Sequence, residues 1–217
     1  YCIRLQRTAG NTGTNVWTLN HGLETTDSIK FRGKKLTLSF YARAGANYSA
    51  SSSNIHSTIR SGKGTDQSPW SFTTDTSIGS ATNTLTTTWK KFSVTTTDVV
   101  ASDVTQLRIA FVRYSSGTAG AADYCEITQV QLCAGDVALP FMPKSFEEEL
   151  RACQRYRQDM VVRTINGIMY YSFPVTMRTT PAILTASVGT LANGTKDGFQ
   201  ITHNANENST IVADAEL

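Results

Sequence analysis

Apolar and polar residues alternate at period two over much of the first 140 positions. Leu36, Leu38, Phe40 and Ala42 share one face of segment 36–43, and Ile55, Ser57 and Ile59 share one face of the next such segment. Segment 89–94 turns Phe92 and Val94 to one side, and 124–132 ends with Val130 and Leu132 on one side. Both faces of 107–112 are rather apolar, as in a central strand, and residues 1–7 also read as a strand. Turn-forming stretches separate these runs: Arg32-Gly33-Lys34, Ser61-Gly62-Lys63-Gly64, Ile78-Gly79-Ser80 and Ser115-Ser116-Gly117. The pattern predicts an antiparallel sandwich, with enough strands in 1–140 for a jelly roll of two facing sheets.

The period changes at Ser145. Ser145 with Glu148 forms a capping-box pair, three glutamates occupy the first turn, and Phe146, Leu150 and Cys153 fall on one helical stripe with Tyr156 beside it. A helix of about three turns is marginal alone in water, so it must dock on something. Pro140 and Pro143 fix an extended exit from the preceding strand. Beyond the helix, 161–164 and 168–173 flank Ile165-Asn166-Gly167, a hairpin signal, and Pro174 ends the second run. Three more short strands are expected at 182–188, 198–202 and 210–215. The reading is mainly β: a jelly-roll domain at 1–140, a Pro-rich exit and connector helix at 141–159, and a small β-domain at 160–217. So small a β-domain is marginal as a monomer and would need the first domain, or copies of itself, to bury its apolar face.

Composition narrows the setting. Charged residues are 17% of the chain, below the usual figure of about a quarter, and Ser and Thr fill the deficit. A net charge of +3, unclustered, gives no nucleic-acid stripe and no membrane-binding patch. No apolar run is long enough for a membrane-spanning helix. The chain starts at Tyr1 without a leader, so a preceding anchoring part is expected. Cys2, Cys125, Cys133 and Cys153 have no zinc spacing. A Cys2–Cys125 bridge would need neighbouring first and last strands; free, mostly buried thiols are the favoured expectation.

Catalytic patterns are not apparent. His21, His56 and His203 stand in no metalloprotease spacing, and no nucleophile elbow or phosphate loop occurs. His56 alternates with Thr58 and Arg60, which reads as a solvated sheet face. A glycosidase needs two carboxylates about 5–10 Å apart. Asp66, Asp75, Asp98, Asp103 and Asp123 fall in loops or at strand ends, where turn-forming roles are commoner. No calcium loop pattern appears, and no cofactor or metal is expected. Sugar binding fits better, because aromatic faces stack on sugar C–H surfaces while polar side chains read hydroxyls. The ligand-face candidates are Tyr48, Trp70 and Tyr114; the competing reading has each at the edge of the core. Trp17 and Trp89 read as core residues.

The run from Glu126 to Phe141, with Val130-Gln131-Leu132, Gly135, Pro140 and Phe141, resembles the last strand and exit of carbohydrate-binding-like jelly rolls in tailed-bacteriophage fibre and appendage proteins. The helix is similar to theirs at Ser145, Glu148, Glu149, Leu150, Cys153, Gln154, Arg155 and Tyr156, and departs at Arg157, where a second aromatic often stands. Segment 32–45 and the ending 213–217 also resemble such fibres. The resemblance implies a homotrimeric virion component, with Phe146, Leu150, Cys153 and Tyr156 as connector and oligomerisation residues. It implies assembly in the bacterial host cytoplasm, exposure on the particle, and partnership with other virion proteins. The expected role is non-catalytic adhesion to host-surface glycan. The alternatives are a purely architectural head or collar protein and, more weakly, a glycan depolymerase.

Overall fold

A computed structural model describes residues 2–203 and 206–215. The chain forms two compact units, Tyr1–Met142 and Pro143–Leu217. Residues 216 and 217 of the fibre-like ending, and Tyr1 of the first predicted strand, lie outside the described residues.

The first unit contains β1 (Ile3–Gln6), β2 (Val16–Leu23), a helical turn α1 (Thr25–Ser28), β3 (Leu36–Ala44), β4 (Asn54–Lys63), β5 (Thr73–Thr84), β6 (Lys90–Thr95), β7 (Gln106–Tyr114) and β8 (Tyr124–Ala134). They make two four-stranded antiparallel sheets, ordered β1-β8-β3-β6 and β2-β7-β4-β5. This is the two-sheet arrangement of a jelly roll. The alternating residues explain the layering. Leu36, Leu38 and Phe40 from β3 and Ile55 and Ile59 from β4 are fully buried, and Leu107, Ile109 and Phe111 from β7 join them. Phe40 ties the layers together, since its ring stacks near Phe92 in its own sheet and meets Phe111 of the other edge-on at 4.8 Å. β7 is interior to its sheet, as its two apolar faces predict.

The polar side of β3 is also buried at Thr37 and Ser39. The chain after β8 runs back over this side. The Thr37 hydroxyl donates to the Gly135 carbonyl at 2.8 Å, while the Gln131 amide donates to Pro140 O at 3.1 Å and accepts from Met142 N at 3.0 Å. The proline-containing exit is therefore fastened down by Gln131.

Two turn assignments need correction. Ile78-Gly79-Ser80 lies inside β5, where the register against β4 shifts. A β-carbon at Gly79 would come within 3.2 Å of the backbone at Thr95 and Thr96, so glycine permits a close approach and a bulge instead of a turn. β5 accordingly runs through this glycine as one twelve-residue strand. Ser61-Gly62-Lys63 likewise still belongs to β4.

At one end of the sandwich, Asp123 lies buried between Arg7 and Arg113, all three at most 1% exposed. Arg7 donates to Asp123, to Ser49 Oγ, and to the carbonyls of Asn11, Gly13, Ser116 and Gly117, joining three loops. Burial would push the Asp123 carboxyl up, but the Ser49 hydroxyl and N–H and the Arg113 guanidinium outweigh it and hold it below its ordinary value. Glu126 behaves alike: burial raises it, while Arg4 and Arg43 draw it down further. A depressed folded pKa contributes stability that is complete above the unfolded value, about 4 for these groups, and is lost as pH falls through the folded value. Thermal midpoints measured from pH 7 to pH 2 should hold down to about pH 4–5 and then fall; a midpoint flat to pH 2 would contradict this.

The second unit carries α2 (Phe146–Gln154), β9 (Arg157–Thr164), β10 (Gly167–Ser172), β11 (Ile183–Ala186), β12 (Thr190–Ala192), β13 (Gly198–His203) and β14 (Glu207–Asp214). The helix begins as predicted: Ser145 Oγ accepts from Glu148 N, and the Glu148 carboxylate accepts from Ser145 N at 2.9 Å. It falls within this unit. Two three-stranded sheets, β10-β13-β12 and β11-β14-β9, enclose Val162, Phe173, Met177, Phe199, Ile201 and Ile211. The Asn166-Gly167 hairpin is corrected, because β9 pairs with β14 and β10 with β13. Gly167, at φ 124°, turns the chain from one sheet into the other. The Tyr171 hydroxyl donates to Arg163 O across that corner, where paired strands would have used backbone bonds.

Candidate functional site

The β2-β7-β4-β5 sheet turns one face inward; the other carries a groove of about 590 Å³. Strand register builds its floor in rows. Thr18, Val112, His56 and Thr82 stand side by side in one, and Asn20, Ala110, Thr58 and Ser80 in the next. A third row places Arg108 beside Arg60, with Gly22 at the edge. The middle row is small at Ala110 and Ser80, which makes the floor deep. Tyr114 stands beyond the first row and packs edge-on against His56, whose Nδ1 shares a hydrogen bond with Thr82 Oγ1 at 3.0 Å. From Tyr114 to Arg108 is six residues along one strand, or about 20 Å.

The other end is closed by the loop carrying Trp70. A β-carbon at Gly22 would lie 3.2 Å from Pro69, so glycine at this position lets the loop settle on β2. The Pro69 carbonyl accepts from Arg108, Phe72 is buried, and Gln67 bonds Thr73 twice. Trp70 itself projects, 66% exposed, and Tyr114 is 48% exposed. The groove thus has an exposed aromatic at each end.

Its floor is polar and incompletely bonded. Both amide atoms of Asn20, the Thr58 hydroxyl and Arg108 Nε find no partner among the described residues. Leaving such a group unsatisfied costs about 1–3 kcal/mol. Arg60 Nε donates to Asp75 Oδ1 at 2.9 Å and Arg108 Nη2 to Asp75 Oδ2 at 2.5 Å, so this carboxylate is occupied by two guanidiniums. Asp123 is held by Arg7 and Arg113, and Asp103 by Lys63 at 2.7 Å. Among the described residues no cluster of His, Cys, Asp and Glu could hold a metal ion, and no helix is long and apolar enough to cross a membrane.

The structure brings Trp70 and Tyr114 to one groove and leaves Tyr48 outside it. Tyr48 packs against the core beneath the Arg113 guanidinium, 4.6 Å from its ring, and its hydroxyl donates to Asn54 O. Burial pushes that hydroxyl far above the ordinary tyrosine pKa. Trp89 is 40% exposed under Arg43 and Trp17 half-buried, so neither is the core residue expected. His56, Thr58 and Arg60 share the outward face of the sheet, where they form part of the groove floor. Asn20 and Arg108 were not singled out by the sequence; the signal available was their alternation with inward Leu19, Leu107 and Ile109.

On the helix, Phe146 is 79% and Leu150 42% exposed and Cys153 is exposed; just past its end, Tyr156 is half-buried under Arg178. All four cysteines are free, but only Cys125 is buried, and burial pushes its thiol up to about 11. β1 does lie beside β8, yet Leu5 faces Cys125, which puts Cys2 three residues out of register for a bridge.

The sequence matches no known family model and no curated protein. Among solved structures, one described as "CBM4 structure and function" is similar, at 21% identity over 61% of this chain and 70% of that chain, with a TM-score of 0.40.

Proposed function

We propose that the first unit binds glycan, without cleaving it, along the groove of the β2-β7-β4-β5 sheet. The observation that carries this reading is the pairing of exposed Trp70 and Tyr114 with a floor whose Asn20 amide and Thr58 hydroxyl lack partners among the described residues. Sugars ask for both: an aromatic surface for their C–H faces and convergent polar groups for their hydroxyls. The engagement of Asp75 by two arginines supports binding over hydrolysis, which needs a free carboxylate pair.

The proposed setting is a tailed-phage virion, with the chain as a homotrimeric fibre or spike component exposed on the particle and contacting other virion proteins. Support comes from the motif running from Ser145 to Tyr156 and from the exposed Phe146 and Leu150 on its helix. Three equivalent grooves would raise avidity without a tight single site. The purely architectural reading draws on Ile168 and Tyr170, more than half exposed on the edge strand β10, which suit a protein partner.

The test is a glycan array probed with the purified chain, its mass fixed by light scattering. Binding to a restricted set of glycans by a species of three chains is expected. If no glycan or host-envelope fraction binds, adhesion fails; a monomer mass removes the trimer.

A further inference from the structure

We infer that the groove takes a glycan bearing carboxylate groups, such as one containing uronic acid; this rests on the groove being a glycan site. The argument is one of charge and unused donors. Among the described residues no side chain lining the groove is a carboxylate, whereas Arg60, Arg108 and His56 all line it. The adjacent acid, Asp75, supplies one negative charge to two guanidiniums. A unit of positive charge therefore remains at this end, because arginine does not deprotonate in proteins. The Arg108 side chain is only 11% exposed and Arg60 28%, so the charge is partly removed from water and acts more strongly on a ligand.

The donors left over point the same way. Arg60 commits Nε and Nη2 to Asp75, and Nη1 has no partner among the described residues. Arg60 and Arg108 are cross-strand neighbours at the end of the groove closed by the Trp70 loop. Trp70 and Arg60 line the same groove, and arginine is the side chain suited to planar recognition of a carboxylate on a sugar held there. A neutral sugar would leave this charge unanswered, whereas a carboxylate completes a two-arginine, two-carboxylate cluster.

The experiment uses the glycans that the array returns. Each is tested intact and after carbodiimide activation and borohydride reduction, which turns every carboxylate into a neutral hydroxymethyl group. The expected result is that the hits carry carboxylates and that reduction weakens binding about tenfold or more, the scale of a charge-assisted hydrogen bond. Arg60→Gln should lose a similar factor on the intact glycan and little on the reduced one, while Arg60→Lys, which keeps the charge, loses less. Circular dichroism and thermal midpoints check that both variants fold. Neutral hits, unchanged binding after reduction, or an equal loss for Arg60→Gln on both forms would overturn the inference and leave glycan binding standing. An array without hits removes glycan binding itself.

Discussion

Asp123→Asn should destabilise the first unit by about 3–5 kcal/mol, the cost of breaking a buried ion pair by removing one partner. The substitution barely changes shape. It takes away the carboxylate bonded to two guanidiniums that are themselves at most 1% exposed. Arg113 has no slack, since its Nε and Nη1 already lack partners among the described residues. Arg7 would keep its carbonyl bonds, but the amide replacing the carboxylate would turn neutral or donor atoms towards it. Equilibrium urea unfolding followed by tryptophan fluorescence reads the effect as a shift of the first unit's midpoint. Asp98→Asn, on an exposed loop, is the control and should stay within about 0.5 kcal/mol of the parent. If the cost arises from an unanswered cation, Asp123→Asn combined with Arg113→Met should recover part of it. An unshifted midpoint for Asp123→Asn would show that the cluster is not what holds these loops.

The residues behind these effects were unequally visible in the sequence. The β3 alternation was read without difficulty, because Leu36, Leu38, Phe40 and Ala42 are all inward and all buried. The capped helix was equally plain, since Ser145 and Glu148 act within one turn. The groove was hidden for a physical reason. β5 contains a single large apolar residue, Ile78, so its alternation carries little hydrophobic signal. Asn20, Ala110, Thr58 and Ser80 come from four strands and become one row only when register is fixed. Tyr48 illustrates the converse. Its Ser/Asn-rich neighbourhood looks like that of a ligand-facing aromatic, yet what decides its place is Arg113, sixty-five residues away. Asn166-Gly167 gave the right backbone bend but the wrong pairing, because a turn signal does not say which sheet receives the next strand.

Trp70→Ala should weaken glycan binding by about 2 kcal/mol, or roughly 30-fold, as expected for truncating a central aromatic anchor. The side chain is 66% exposed, so its loss removes little core packing, and the loop is held independently by Pro69 on Gly22, by Arg108 on the Pro69 carbonyl and by Gln67 on Thr73. Stability should therefore change by no more than about 0.5 kcal/mol, as for other exposed positions. Trp89→Ala supplies the contrast. Trp89 is also partly exposed, but it lies against Arg43, on the sheet that does not carry the groove. A contribution from general aromatic stickiness would weaken both variants alike; a groove bracketed by Trp70 and Tyr114 predicts loss for the first alone. Calorimetric titration with an array-selected glycan measures the difference, and Tyr114→Ala should resemble Trp70→Ala in direction. Full affinity in Trp70→Ala would move the glycan site off this groove, and with it the role assigned to Asn20 and Thr58, because their unpaired polar atoms matter to a ligand only if the ring above them is held in place.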